Sequence, residues 1–347
     1  MLGISVYLGN DPEKNSQWIE KAGSYGFTKI FTSLHIPEED ASLLRERLIL
    51  LGKAAGSAGM EIMADAGPRS LKNLGISINK VNELRDWNIT GLRADYGFSD
   101  EEIVGLSHVL KVGLNASTIV AEMVDTWKTH GLRSENVEAW HNFYPRQNTG
   151  ISSSFLKEKN RFLKEQGFKT VAFVPGDKTL RGPVHEGLPT LEKHRGEDPF
   201  ISAVELNSLL TDHIVIGDVE ATDFVLKRLS DWKDGVIALR TSGLDEAFMA
   251  KVHTNRQDAA RDVIRSVESR SYASANGIKA APQVPPAPRP AGSITIDNEQ
   301  YGRYTGELQI TKRDLPADER VNVLGRVREE DLKLLAHIGP GQKFLMQ

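Results

Sequence analysis

Eight short apolar runs, each separated from the next by a longer polar or amphipathic stretch, constrain this chain more than any single motif. The runs are Gly3–Leu8, Lys29–His35, Glu61–Ala66, Gly91–Tyr96, Val112–Ala116, Val137–Phe143, Thr170–Val174 and His213–Gly217. Between and after them lie helical patterns such as Trp18–Tyr25, Ala41–Ala58, Asn79–Trp87, Glu101–Val109, Ser153–Gln166 and Asp223–Trp232. Strands separated by helices pair in parallel through crossover connections. Eight such units in about 230 residues have the length of a closed (β/α)8 barrel. A doubly wound open sheet is the rival. Eight regular units favour closure, and no glycine fingerprint follows the first run. Helix ends agree with these boundaries. Ser99-Asp100-Glu101-Glu102 reads as a cap with acids in the first turn, and Gly26, Gly59, Gly131 and Gly167 follow helices where a positive φ is needed.

After Trp232 the pattern changes. Gly235–Arg240 reads as a strand and His253–Arg270 as a charged helix. Ala280–Gly292 carries five prolines and reads as a linker or exposed loop. Ser293–Asp297, Gly306–Thr311 and Arg320–Val327 alternate like strands. The expected organisation is therefore α/β: a (β/α)8 barrel over residues 1–233, then a small β-rich domain over 234–347 with a proline-rich segment at 280–292.

Composition narrows the function. The 347 residues carry a formal net charge of -4, so no broad basic field is offered to nucleic acid or an anionic membrane. With no cysteine, thiolate metal sites, disulfides and a cysteine nucleophile are excluded. The first residues lack a basic start followed by an apolar core, and no run approaches membrane-spanning length. A cytoplasmic protein is expected.

In such a barrel the chemistry belongs at the C-terminal ends of the strands. Those ends are rich in functional side chains: His35, Asp65, Arg93 and Asp95, Asn115, then His141, Asn142, Tyr144 and Arg146, and finally Asp218. One polar residue at a strand end is commonly a cap; accumulation at six strand ends points to a site. The connection after the seventh run, from Pro175 to Arg195, is long enough to be a lid or binding loop. It supplies Glu186 and Glu192, His185 and His194, and the cations Lys178, Arg181, Lys193 and Arg195. Cations there suit an anionic substrate. Convergent carboxylates from Asp65, Asp95, Glu186 and Asp218 suit glycoside hydrolysis, metal binding or proton abstraction, and the residues alone do not separate these. His35 and His141 lack the spacing of a metal site, so no metal is expected.

The runs GISVYLG, IFTSLHIPEED, GLRADYG, LNAST, EAWHNFYPR, AFVPGD, RGPVHEGLPTLEKHR and IVIGD, with ITIDNEQYGRYTGELQI and DERVNVLGRV near the C-terminus, resemble the bacterial 6-phospho-N-acetylmuramidase family. The resemblance covers nearly the whole chain. It implies a (β/α)8 barrel followed by a cyclophilin-like β domain, in which no prolyl isomerase activity is expected. It implies hydrolysis of a 6-phosphorylated N-acetylmuramic acid–N-acetylglucosamine disaccharide during peptidoglycan recycling in the cytoplasm, with no cofactor. Under it, Asp95 and Glu186 are the expected catalytic pair, with Asp218 and Asp65 in reserve. Arg93, Asn115, His141, Asn142, Tyr144 and Arg146 are expected to position sugar hydroxyls, the acetamido group or the lactyl carboxylate. Arg181, Lys193 and Arg195 are expected near the phosphate. Sugar-phosphate isomerase or lyase chemistry, and a non-catalytic sugar-phosphate-binding protein, are the alternatives.

Overall fold

A computed structural model of the chain describes residues 1–34, 41–232, 234–269 and 286–347. These form two compact units, Met1–Ser230 and Asp231–Gln347. The first unit is a closed barrel of eight parallel strands: β1 (Leu2–Ser5), β2 (Lys29–Ser33), β3 (Glu61–Asp65), β4 (Gly91–Ala94), β5 (Lys111–Asn115), β6 (Val137–Trp140), β7 (Lys169–Val174) and β8 (His213–Ile216). Closure comes from β1, which pairs with β2 on one side and β8 on the other. Every strand starts within one residue of its apolar run. All but β7 end one to three residues sooner.

Strand alternation sorts the side chains. Phe31, Met63, Trp140, Val171, Phe173 and Val215 point inward and form one buried cluster, with Phe143 packed against it. Rings meet edge to face: Phe31 and Phe173 lie 5.2 Å apart, and Phe143 and Phe173 5.1 Å. Such bulk leaves no room on some neighbouring strands. A Cβ on Gly113 would sit 3.1 Å from Arg93 Cβ, Met63 Sδ and Trp140 Cδ1. Large and small residues thus alternate between strands, which keeps the interior packed rather than open. At the N-terminal end of the barrel, Lys29 pairs with Glu138, and Trp140 Nε1 donates to Glu138 Oε2 at 3.0 Å. A buried charge is tolerable there because its partners are buried with it.

The helices include α1 (Pro12–Ser24), α2 (Ala41–Ser57), α3 (Pro68–Asn73), α4 (Asp100–Ser107), α5 (Ala121–Thr129), α6 (Ser153–Glu165), α7 (Pro199–Ser208) and α8 (Asp223–Trp232). The expected cap on α4 is a full capping box: Glu102 N donates to Ser99 Oγ, and Ser99 N to Glu102 Oε2. The 79–87 stretch is 3-10 rather than α-helical. Among the described residues no helix is long and apolar enough to cross a membrane.

The second unit is β-rich. One sheet has the order β10 (Thr241–Ser242), β15 (Val321–Val327), β13 (Ser293–Asp297), β14 (Leu308–Thr311), β12 (Val263–Arg265); the other runs β11 (Val252–Thr254), β16 (Lys343–Met346), β9 (Val236–Leu239). The helix expected over 253–270 is corrected here: this stretch holds the end of β11 and all of β12. Its described arginines do not form a helical face. Arg256 pairs with Asp258, Arg261 with Asp262, and Arg265 with Glu307 on the strand side. Of the proline-rich segment, residues 280–285 and likewise His35 and Arg270 lie outside the described residues; Arg289 exchanges backbone hydrogen bonds with Leu315.

Candidate active site

Four adjacent strands bring five polar side chains to the barrel mouth. Asp65 ends β3, Arg93 lies in β4 with Asp95 just beyond it, Asn115 ends β5, and Asn142 follows β6. Positions two apart share a face, so Asp65 stands above Met63, Asn142 above Trp140, and Asp95 above Arg93. Arg93, only 4% exposed, sits at the centre. Its Nη1 donates to Asp65 Oδ1 at 2.9 Å, and its Nη2 donates to Asp95 Oδ1 at 3.2 Å and to Asn142 Oδ1. Asn115 Nδ2 donates to the same Asp95 oxygen at 2.9 Å. One guanidinium therefore holds two carboxylates by separate nitrogens, and one of them is braced from a third strand. The cluster rests on the aromatic layer, and both carboxylates keep some solvent access, at 13% and 26% of their side chains.

The loop after β7 does not hang free. Asp218 is fully buried and accepts from Gly176 N at 2.8 Å, Arg181 N at 2.9 Å and Leu188 N at 3.1 Å. Burial pushes its carboxyl pKa up against the opposing pull of those amides. Glu192 accepts from Asn148 N and Gly150 N, each at 2.8 Å, and pairs with Arg195. That pairing and the amides hold its pKa down at about 2. Arg195 is spent on structure: besides Glu192 it donates to the carbonyls of Glu186, Gly187, Tyr144 and Arg146. It ties the loop after β6 to the loop after β7.

The remaining expected residues are distributed as follows. Glu186 is exposed, accepts from Gln147 Nε2 at 2.7 Å, and lines a cavity of 460 Å³ with Gln147, Leu180, His185 and Arg195. Asp95 and Asp65 do not line that cavity. Tyr144 is half-buried and Arg146 exposed on the loop after β6. His141 departs from its expected place. Next to the inward Trp140 it faces the helix layer, where its Nε2 meets Asn160 Oδ1 of α6 at 2.8 Å, and burial lowers its pKa to about 4. A neutral, fully buried imidazole packed against a helix is not a sugar-binding group.

The loop's four cations divide clearly. Lys178 pairs with Glu220 at 2.8 Å, Lys193 with Glu205, and Arg195 with Glu192. Arg181 has no carboxylate partner among the described residues; its guanidinium lies 4.0 Å from the ring centroid of Tyr7. Tyr7 is buried beyond β1 and donates its hydroxyl to Gly217 O. Sequence reasoning passed over Tyr7, although alternation from Gly3 and Ser5 places it on the inward face. Among the described residues no group of three or more His, Asp or Glu side chains is placed to hold a metal ion.

The comparisons with known proteins agree along the full length. Residues 2–231 match the model of the 6-phospho-N-acetylmuramidase N-terminal family, and residues 238–347 match that of the 6-phospho-N-acetylmuramidase C-terminal family. A conserved protein of unknown function from Enterococcus faecalis is similar at 41% identity and a TM-score of 0.85, over 100% of this chain and 96% of its own. An uncharacterised B. cereus protein is similar at 26% identity and a TM-score of 0.82, over 100% and 99%. No curated protein matches the chain. With both of its units matched, the chain belongs to the 6-phospho-N-acetylmuramidase family.

Proposed function

We propose that the chain is a cytoplasmic glycosidase that hydrolyses a 6-phosphorylated N-acetylmuramic acid–N-acetylglucosamine disaccharide in peptidoglycan recycling. Water is added across the glycosidic bond, giving N-acetylmuramic acid 6-phosphate and N-acetylglucosamine. The observation that supports this is Asp95, a partly exposed carboxylate fixed by the buried Arg93 guanidinium and by Asn115 at the barrel mouth. Glycoside hydrolysis needs one carboxyl to protonate the leaving oxygen and another to attack the anomeric carbon or activate water. Asp95, oriented by Arg93 and Asn115, takes one role. Glu186, exposed on the loop after β7, takes the other, and Asp65 is its competitor. Asn142, Tyr144 and Arg146 line the approach along the loop after β6 and supply hydrogen bonds to the sugar. Arg181 takes the phosphate, because the loop's other cations are already paired.

The test is purified protein with phosphorylated and plain disaccharides side by side, products read by mass. Cleavage of the phosphorylated sugar alone is expected. Equal turnover of both removes the role of Arg181. Binding without product over long incubation identifies a non-catalytic sugar-phosphate-binding protein instead. Asp95→Asn and Glu186→Gln should each lower kcat by about 10²–10⁴-fold while melting stays near wild type. If Asp65→Asn abolishes turnover and Glu186→Gln does not, Asp65 takes the place of Glu186.

A further inference from the structure

Asp218 resembles a catalytic carboxylate in sequence, yet its surroundings give it different work. Three amides from separate points of one loop, at residues 176, 181 and 188, converge on its two oxygens. The loop is pressed onto the end of β8 with no space for side chains between. A Cβ on Gly176 would lie 2.5 Å from Glu220 O, and one on Gly217 2.5 Å from Leu188 O. The neighbouring residue completes the arrangement: Gly217 O accepts the Tyr7 hydroxyl, and the Tyr7 ring carries the Arg181 guanidinium. Consecutive residues at the end of β8 thus fix both parts of Arg181, its main chain through Asp218 and its side chain through Tyr7.

Barrels of this type commonly bind phosphate on backbone amides of the loops after their seventh and eighth strands. Here a carboxylate of the chain itself occupies amides of that region. We infer that Asp218 is a positioning residue, which fills the amide cradle and thereby hands recognition of the substrate's phosphate to the guanidinium of Arg181. The inference rests on the proposed phospho-glycosidase reading and deepens it. An Arg side chain offers a planar fork that matches a phosphate edge and discriminates by direction as well as charge. A phosphate arriving at the amides themselves would meet the Asp218 carboxylate and be repelled.

The experiment compares wild type, Asp218→Asn, Arg181→Gln and the double variant on the phosphorylated disaccharide. Asp218→Asn and Arg181→Gln should each raise KM by about 10–100-fold, the range of one charge-assisted hydrogen bond, with kcat within about threefold of wild type. In the double variant KM should be no higher than in Arg181→Gln alone, because Asp218 acts through Arg181. A loss of kcat with KM unchanged makes Asp218 part of the chemistry and overturns the inference; additive effects on KM overturn it too. Loop pinning is read separately by trypsin, which should cut after Lys178 and Arg181 faster in Asp218→Asn than in wild type. That readout needs no substrate, so a wild type that cleaves no phosphorylated sugar sinks the functional reading while equal tryptic rates sink this one. If Asp218→Asn does not fold, Tyr7→Phe and Arg181→Lys replace it. The first drops the Gly217 bond and the second the planar stack, and each should raise KM with kcat retained; unchanged KM in both counts against the inference.

Discussion

Replacing Arg93 by methionine tests the site's central organisation. Methionine has a similar reach and suits the aromatic floor, so the change removes charge and donors with little loss of bulk. What it leaves behind is the cost. Asp65 loses the Nη1 donor and Asp95 the Nη2 donor, in a site where their side chains are 13% and 26% exposed. Removing one partner of a buried ion pair costs about 3–5 kcal/mol. Asp95 keeps Asn115 and some water, which places the expectation at the lower end, about 3–4 kcal/mol. For a unit of this size that corresponds to a fall in Tm of about 6–16 °C.

The assay is thermal unfolding at pH 7 followed by far-ultraviolet circular dichroism. A second change sharpens it. Asp65→Asn in the Arg93→Met background removes one stranded charge and should recover about 1 kcal/mol or more, whereas Asp65→Asn alone should destabilise. A Tm within about 2 °C of wild type for Arg93→Met, or purely additive losses in the double variant, would refute the claim that Arg93 holds two carboxylates at the mouth.

Other perturbations have signs fixed by the same structure. Gly217→Ala should destabilise the barrel by about 1–3 kcal/mol and raise tryptic sensitivity of the loop after β7, since its Cβ meets the Leu188 carbonyl at 2.5 Å; an unchanged melt counts against the close packing. Glu192 has a folded pKa of about 2 against an ordinary 4.5, so its contribution is full above 4.5 and lost as pH falls toward 2. Urea midpoints between pH 5 and 2 should therefore decline less in Glu192→Gln than in wild type, and parallel curves would be the contrary result. His141 and His213 are held neutral by burial, each with a pKa of about 4 against 6.5. The unfolded chain takes up those protons first, so stability is full above 6.5 and lost as pH falls to 4, by up to about 3 kcal/mol per imidazole. His141→Gln should remove part of that slope, and a pH-independent midpoint between 7 and 4.5 would contradict it.

The barrel was legible because its signal is repeated: eight apolar runs of strand length cannot be arranged in many ways once helices separate them. The polar cluster at the mouth was legible for the same reason, since a strand's last inward residues reach the open end of the barrel. His141 was misplaced by one step of that rule. Trp140 faces the interior, so its neighbour faces the helices. α7 left little trace because it is buried nearly all round, with Phe200, Ile201, Ala203 and Val204 on different faces, so no polar stripe marks its period. Partners of the loop cations were only half readable. Glu192 lies three residues from Arg195 and fits a local pair, but Glu205, which takes Lys193, comes from α7. The helix expected over 253–270 rested on charge alone, and its charges pair differently: Arg256 and Arg261 with acids beside them in sequence, Arg265 with Glu307 far along the chain.

Polar residues crowd this barrel mouth, and their partners decide which of them can meet a substrate. Asp218 has three backbone amides, Glu192 two, and Arg195 four backbone carbonyls. The amides of Gly176 and Leu188 on Asp218 are buried and have nowhere else to turn, so a ligand that displaced that carboxylate would leave unsatisfied amides behind, at about 1–3 kcal/mol each, while the partly exposed partners of Glu192 and Arg195 add a smaller cost. Asp65, Asp95, Asn115 and Asn142 are held mainly by one another and by Arg93, with water still in reach. Those bonds can be exchanged for bonds to a sugar hydroxyl at little net cost, because each group trades one side-chain partner for another. The same comparison separates Arg181 from Arg195: both are arginines of one loop, but among the described residues only Arg195 forms an ion pair with a carboxylate, while Arg181 stacks on Tyr7. Saturation by backbone marks the residues that build the site, and side-chain partners beside solvent mark those left to work in it.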